Sequence, residues 1–327
     1  ADYKSVGVDV SALITHDTPD AVAAVNSALR TQGITSASVN PPSGIAAIAT
    51  AFDKVLAAAD SSVPADGSLS PQALALTPDV FQALGITGVT ADSAGSPQDK
   101  LNQAIEATID AMASATAKDA ANLQATVNAL TRISHMADGI AGDALSVDQF
   151  TSPTDAQAAL NAAGVSLSSS YANVSAATLA SAVGNAIDGV TFDSINTPKK
   201  LQALVDAYAK ILAEANEPEP APGSSYTNKD TVPDATPGAD PLAADFQAIG
   251  ANLPGLTSTL GSTTDQAQRL ALLDDTLKRK AQSQVNTVAE INALGVAVDQ
   301  VLTQVALPTG TSIPTTFTDA QKAQWDS

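Results

Sequence analysis

The sequence predicts an all-α protein, a tandem array of about four three-helix units packed as helical bundles or as a solenoid. Three observations predict it. Apolar residues recur at helical spacing along most of the 327 residues, and no alternating apolar/polar run is long enough for a confident strand. One helix pattern occurs four times, beginning at Ile45, Leu123, Leu201 and Ile291, with starts 78, 78 and 90 residues apart. Hydrophobic residues make up 44% of the chain but aromatic residues only 3%, so Ala, Leu, Val and Ile must fill the core, which suits close helix contacts.

The first element of each unit is a short helix closed by glycine. "DYKSVGV" (2–8), "DVFQALGI" (79–86), "AALNAAGV" (158–165) and "DFQAIGA" (245–251) each place a bulky residue four before a glycine: Tyr3/Gly7, Phe81/Gly85, Leu160/Gly164 and Phe246/Gly250. A glycine there predicts a left-handed helix stop. The second element is an amphipathic helix: "AVAAVNSAL" (21–29), "KLNQAIEATI" (100–109), "TLASAVGNAI" (178–187) and "RLALLDDTL" (269–277). Thr18-Pro19, Ser96-Pro97 and Ser175 suit its N-terminal cap. The third is the long helix of the fourfold pattern. Phe52, Leu130, Tyr208 and Val298 follow seven residues after its start, and Val55, Ile133, Ile211 and Val301 three later, all on one face. Asp119, Thr197-Pro198 and the capping box of Thr287 with Glu290 announce its beginning. "GITGVT" (85–90) and "GVTFDSI" (189–195) read as brief extended connections.

These elements divide the chain into units 1–66, 67–143, 144–240 and 241–327. "SSVPADGS" (61–68) and "DGIAGD" (138–143) are short linkers, and the Pro-, Gly- and acid-rich stretch 217–241 is a long one. That stretch reads as a solvated connection, or as a loop ordered around a cation or partner. The two ends also match. Joined, "AQWDS" and "ADYKSVGV" imitate "PLAADFQAIGA", and the spacing from Gly250 to Gly7 of a following copy is 84, in register with the other units. This fits a piece of a longer array or subunits that complete one another head to tail. In the second case Trp325 and Phe317 of one copy would meet Tyr3 and Val6 of the next.

"TPKKLQALVDAYAKILAEAN" (197–216) and "LTPDVFQALGITGVT" (76–90) together resemble the helical tandem repeats of very large bacterial surface proteins, including type-I-secreted adhesins of the calcium-dependent RTX kind. The resemblance implies a secreted or cell-surface role, with the units serving as spacers or assembling parts. The glycine- and aspartate-rich nonapeptide of RTX rolls is absent from the sequence. Calcium is therefore implied by the resemblance and the charge alone. The weak metal candidates are Asp138, Asp143, Asp230, Asp234 and Asp240.

Fifteen basic against 34 acidic residues give a net charge of −19, which repels nucleic acid and anionic lipid. No apolar run approaches the length of a membrane span. The lack of cysteine excludes disulfides and thiol chemistry and leans toward a bacterial exterior. His16 and His135 are the only histidines; they fall at different repeat positions and read as surface or capping residues. No nucleophile elbow, zinc-protease or phosphate-loop motif occurs. Asp274-Asp275 reads as part of a solvated face, and "DTLKRKAQ" (275–282) as a basic cluster balancing local charge or docking on an acidic patch of another copy. The expected function is thus a non-enzymatic structural or interaction protein of the bacterial exterior. It would associate with copies of itself into a filament or surface layer, or form the repeat segment of an adhesin. The alternative is a glycan- or peptide-binding module using inter-unit grooves or the 217–241 loop.

Overall fold

The computed structural model describes residues 3–16, 21–31, 33–59, 69–137, 149–169, 171–215, 241–253 and 263–304. They form helices and connecting turns, with no β-strand among the described residues. In chain order the helices are α1 (Val10–Leu13), α2 (Ala21–Ala28), α3 (Ser43–Ala59), α4 (Pro78–Ala83), α5 (Pro97–Asp110), α6 (Ser114–Ala117) and α7 (Ala120–Met136). They continue with α8 (Pro153–Ala162), α9 (Ala176–Asp188), α10 (Phe192–Ile195), α11 (Pro198–Glu214), α12 (Ala243–Ala248), α13 (Thr263–Lys278) and α14 (Val288–Gln304). Single 3-10 turns lie at Tyr3–Val6, Ala73–Ala75 and Gln282–Gln284.

Short-range chemistry sets the helix ends. Ser96, Ser152, Ser175 and Thr197 each accept a hydrogen bond from the amide three residues on, at the starts of α5, α8, α9 and α11. Each such cap stabilises its helix by about 1 kcal/mol. Asp119 caps α7 through Ala121 N. The capping box of α14 is reciprocal: Thr287 N donates to Glu290 Oε2, and Glu290 N donates to Thr287 Oγ1. Thr18-Pro19 lies outside the described residues.

The four glycine stops share one geometry. Gly7, Gly85, Gly164 and Gly250 have φ of 84°, 71°, 81° and 78°. In each, the residue after the glycine donates to the carbonyl of the bulky residue: Val8 to Tyr3, Ile86 to Phe81, Val165 to Leu160 and Ala251 to Phe246, at 2.9–3.0 Å. The glycine itself donates to the carbonyl three before it. These paired bonds satisfy carbonyls that a helix end would otherwise leave bare.

The long helices α3, α7 and α11 are flanked alike. Each packs against the amphipathic helix before it (α2, α5, α9), the short helix after it (α4, α8, α12) and the amphipathic helix beyond (α5, α9, α13). Buried side chains from Tyr3 to Val298 form one continuous core, built mainly of Ala, Leu, Val and Ile with Phe52, Phe81, Tyr208 and Phe246 as its large members.

The sequence expectation fails at 189–195. Only Thr191 is extended there; Phe192–Ile195 is a helical turn whose first amide donates to Ala137 O. Burial of Phe192 and Ile195 against the core favours the turn over a strand. Residues 85–90 are irregular, with Gly88 at φ 93°. Among the described residues no helix is long and apolar enough to cross a membrane.

Candidate functional site

The junctions between successive helix groups hold most of the specific polar chemistry. Thr31 Oγ1 donates to Leu84 O, and Gly33 lies against the backbone of Gly85 so closely that a side chain would not fit. Thr126 of α7 donates through Oγ1 to Ala162 O at 2.8 Å. Gly250 abuts Val190 and the carbonyl of Gly189. Ion pairs cross two junctions from matching cations, since Arg132 and Lys210 both lie nine residues into the long-helix pattern, though their carboxylate partners stand at different places before the glycine stop. Arg132 pairs with Asp155 at 2.9 Å and lies 4.7 Å from the centre of the Phe150 ring; Lys210 pairs with Asp245 at 3.0 Å. The hydrogen bonds of Arg132 and Thr151 hold Asp155 down to about 2.

Three loops are fastened by side-chain amides that sequence reading missed. Gln124 Oε1 accepts from Thr87 N while its Nε2 donates to Thr87 O. Gln202 does the same to Ser166, and Asn292 Oδ1 accepts from Asn252 N. All three amides come one residue after the repeated starts Leu123, Leu201 and Ile291. That shared offset is the signal that could have found them.

A buried ion cluster joins α11 to α13. Lys278 Nζ lies 3.1 Å from Glu214 Oε1 and 3.1 Å from Asp274 Oδ2, with Lys278 2% exposed and Glu214 fully buried. Burial alone would lower the lysine pKa, but the two carboxylates outweigh it and hold the ammonium above the ordinary lysine range. The reading of Asp274-Asp275 as a solvated face is thereby corrected. Asp274 faces inward to Lys278, and Asp275 pairs with Arg279. The basic cluster 275–282 likewise serves ion pairs within the chain. Thirteen residues before the starts at 123, 201 and 291 stand Asp110, Asp188 and Lys278, all buried. Asp110 accepts from Ser70 Oγ at 2.6 Å. On α5, burial and the nearby Asp99 push half-buried Glu106 up to about 7.

His16 is drawn to Asp53, with Nδ1 2.9 Å from Oδ1. That carboxylate also accepts from Thr15 N, Thr15 Oγ1 and His16 N. Burial would raise its pKa, but the bonds from His16 and Thr15 prevail and lower it. The arrangement ties the 14–16 turn to α3. His135 is exposed, in the last turn of α7. A cleft of about 390 Å³ opens where α8 and α9 meet the start of α14, lined by Phe150, Ser152, Ser181, Asn185, Asp188 and Thr287 among others.

Of the expected interface residues, Tyr3 is buried in its own surroundings, its hydroxyl donating to Asn26 Oδ1, whereas Val6 is exposed. The phenol ring is packed into this chain's own core. Trp325, Phe317, Asp138, Asp143, Asp230, Asp234 and Asp240 lie outside the described residues. Among the described residues no group of three or more His, Cys, Asp and Glu side chains could hold a metal ion. No family model, curated protein or solved structure matches the chain.

Proposed function

We propose that the chain is a non-enzymatic structural array, four copies of one helical unit with bounds 1–66, 67–143, 144–240 and 241–327, whose work is to span distance and present its ends and surface to other copies or repeats. One observation carries this reading: α3, α7 and α11 each grip the short and amphipathic helices that follow them in the same order. An array built so transmits one core through its length, as solenoids do. The cysteine-free acidic composition and the resemblance to bacterial surface repeats support placing it at a bacterial exterior, in a filament, a surface layer or an adhesin.

The test is excision in register. Removing residues 86–164 joins Gly85 to Val165 and deletes one period. The shortened chain should fold, with helical circular dichroism, cooperative urea unfolding and an m-value lower by roughly a quarter. Removal of about half a period should abolish folding. If both deletions behave alike, the unit is wrongly drawn.

A second reading, a binding module, is favoured by the cleft at Asn185 and Ser181, whose hydroxyl and amide lining suits a small neutral polyol or sugar. Titration calorimetry with neutral sugars should give a signal that Ser181→Trp removes by filling the cleft. Absence of heat with the intact chain rejects this reading.

A further inference from the structure

We infer that the turn at Val6–Gly7 and the outer face of α14 are the two halves of an interface between copies of this chain, docked as the internal junctions are. The inference rests on the array reading above and adds the surfaces and the partner. The internal junctions supply the template. The residue before each later glycine stop, Leu84, Ala163 or Ile249, is 0% exposed, whereas Val6 is 49% exposed. A Cβ added to Gly85, Gly164 or Gly250 would meet atoms of the chain, but one added to Gly7 meets nothing within 4 Å. The same turn is therefore covered three times and open once.

The complementary surface is open at α14. Six residues into the long-helix pattern, Ala51, Ala129 and Ala207 are buried, but Ala297 is exposed. Three residues in, Ile48, Thr126 and Leu204 are buried, but Leu294 is only partly so. Thr126 is the residue that bonds the next turn at Ala162 O, so this face is the one a following turn occupies. Val296, 52% exposed, stands at a position where the other long helices carry exposed Thr50, Asn128 and Asp206, so it belongs to the solvent side and not to this face. The occupant is a second copy, because its Val6–Gly7 turn has the hydrogen-bonded shape that α3, α7 and α11 already accept. The two surfaces differ, so the contact is heterologous and open-ended. A net charge of −19 on each copy opposes it, and salt should strengthen it by screening.

The experiment is sedimentation velocity on the full chain and two variants, Val6→Asp and Ala297→Arg, each a charge at an exposed site. The intact chain should show a concentration-dependent series of species, stronger at higher salt. Each variant alone should associate about 100-fold more weakly. An equimolar mixture of the two should form a dimer and nothing larger, since each supplies the half the other lacks. A single species for the intact chain up to about 100 µM, a concentration that detects even weak contacts, overturns the inference. So does a variant that still associates, or a mixture that stays monomeric while both variants keep the parent's unfolding curve. The array reading is judged separately, by whether the 86–164 excision folds.

Discussion

Gly7 and Gly85 occupy the same hydrogen-bonded turn with nearly the same φ, so alanine at each separates backbone strain from packing. An L-residue held at φ near +80° costs about 1–2 kcal/mol at either position. At Gly7 nothing else is lost, because the new methyl meets open space. At Gly85 the methyl would overlap Thr31 Oγ1 and come within 2.9 Å of Ile34 Cγ1. Thr31 would also have to give up its bond to Leu84 O. Overpacking of this kind adds about 1–3 kcal/mol. Urea unfolding followed by circular dichroism should therefore show Gly85→Ala less stable than Gly7→Ala by about 2 kcal/mol, with equal m-values. Equal losses at the two sites would refute the idea that the second turn is gripped by the connection at Thr31 and Ile34 while the first is free.

Other outcomes test the buried polar groups. Lys278→Met removes the ammonium between Glu214 and Asp274 and should cost about 3–5 kcal/mol in urea titration, whereas a loss below about 1 kcal/mol would mean the cluster behaves as a surface pair. Glu106 has its folded-state pKa raised to about 7, so it favours folding below its unfolded value near 4.3 and loses that contribution as pH rises through 7. Glu106→Gln should then stabilise the protein by about 1–2 kcal/mol at pH 8 and have no effect near pH 4; a pH-independent difference rules the assignment out. Gln202→Ala removes both bonds to Ser166 and should cost about 1–2 kcal/mol while speeding hydrogen exchange at the Ser166 amide. Unchanged exchange there would show that another group holds the loop.

What the sequence discloses depends on how far apart the interacting residues are. Caps such as Ser96, Ser175 and Thr197 act within three residues, and the glycine stops close within five, so both can be read from short stretches of sequence. The proposed period rests on apolar positions that recur at like spacing in α3, α7, α11 and α14. The Lys278–Glu214 contact joins residues in different helices, and nothing local to "DTLKRKAQ" says which way its lysine faces. The register does hold a hint, since position 278 lines up with Asp110 and Asp188, where a polar side chain that the fold buries ends an amphipathic helix. Tyr3 is a related case. The bulky residue before each glycine stop is buried, and in the first turn the exposed apolar side chain is that of Val6.

The turn from Tyr3 to Val8 already has both of its hydrogen bonds while exposed. A surface so preorganised has little ordering entropy left to lose when it meets a partner. Every addition at such an end would be chemically the same step as the last, with no nucleus to build first. Growth would then be isodesmic: no lag, no critical concentration, and an exponential spread of lengths that shifts smoothly with dilution.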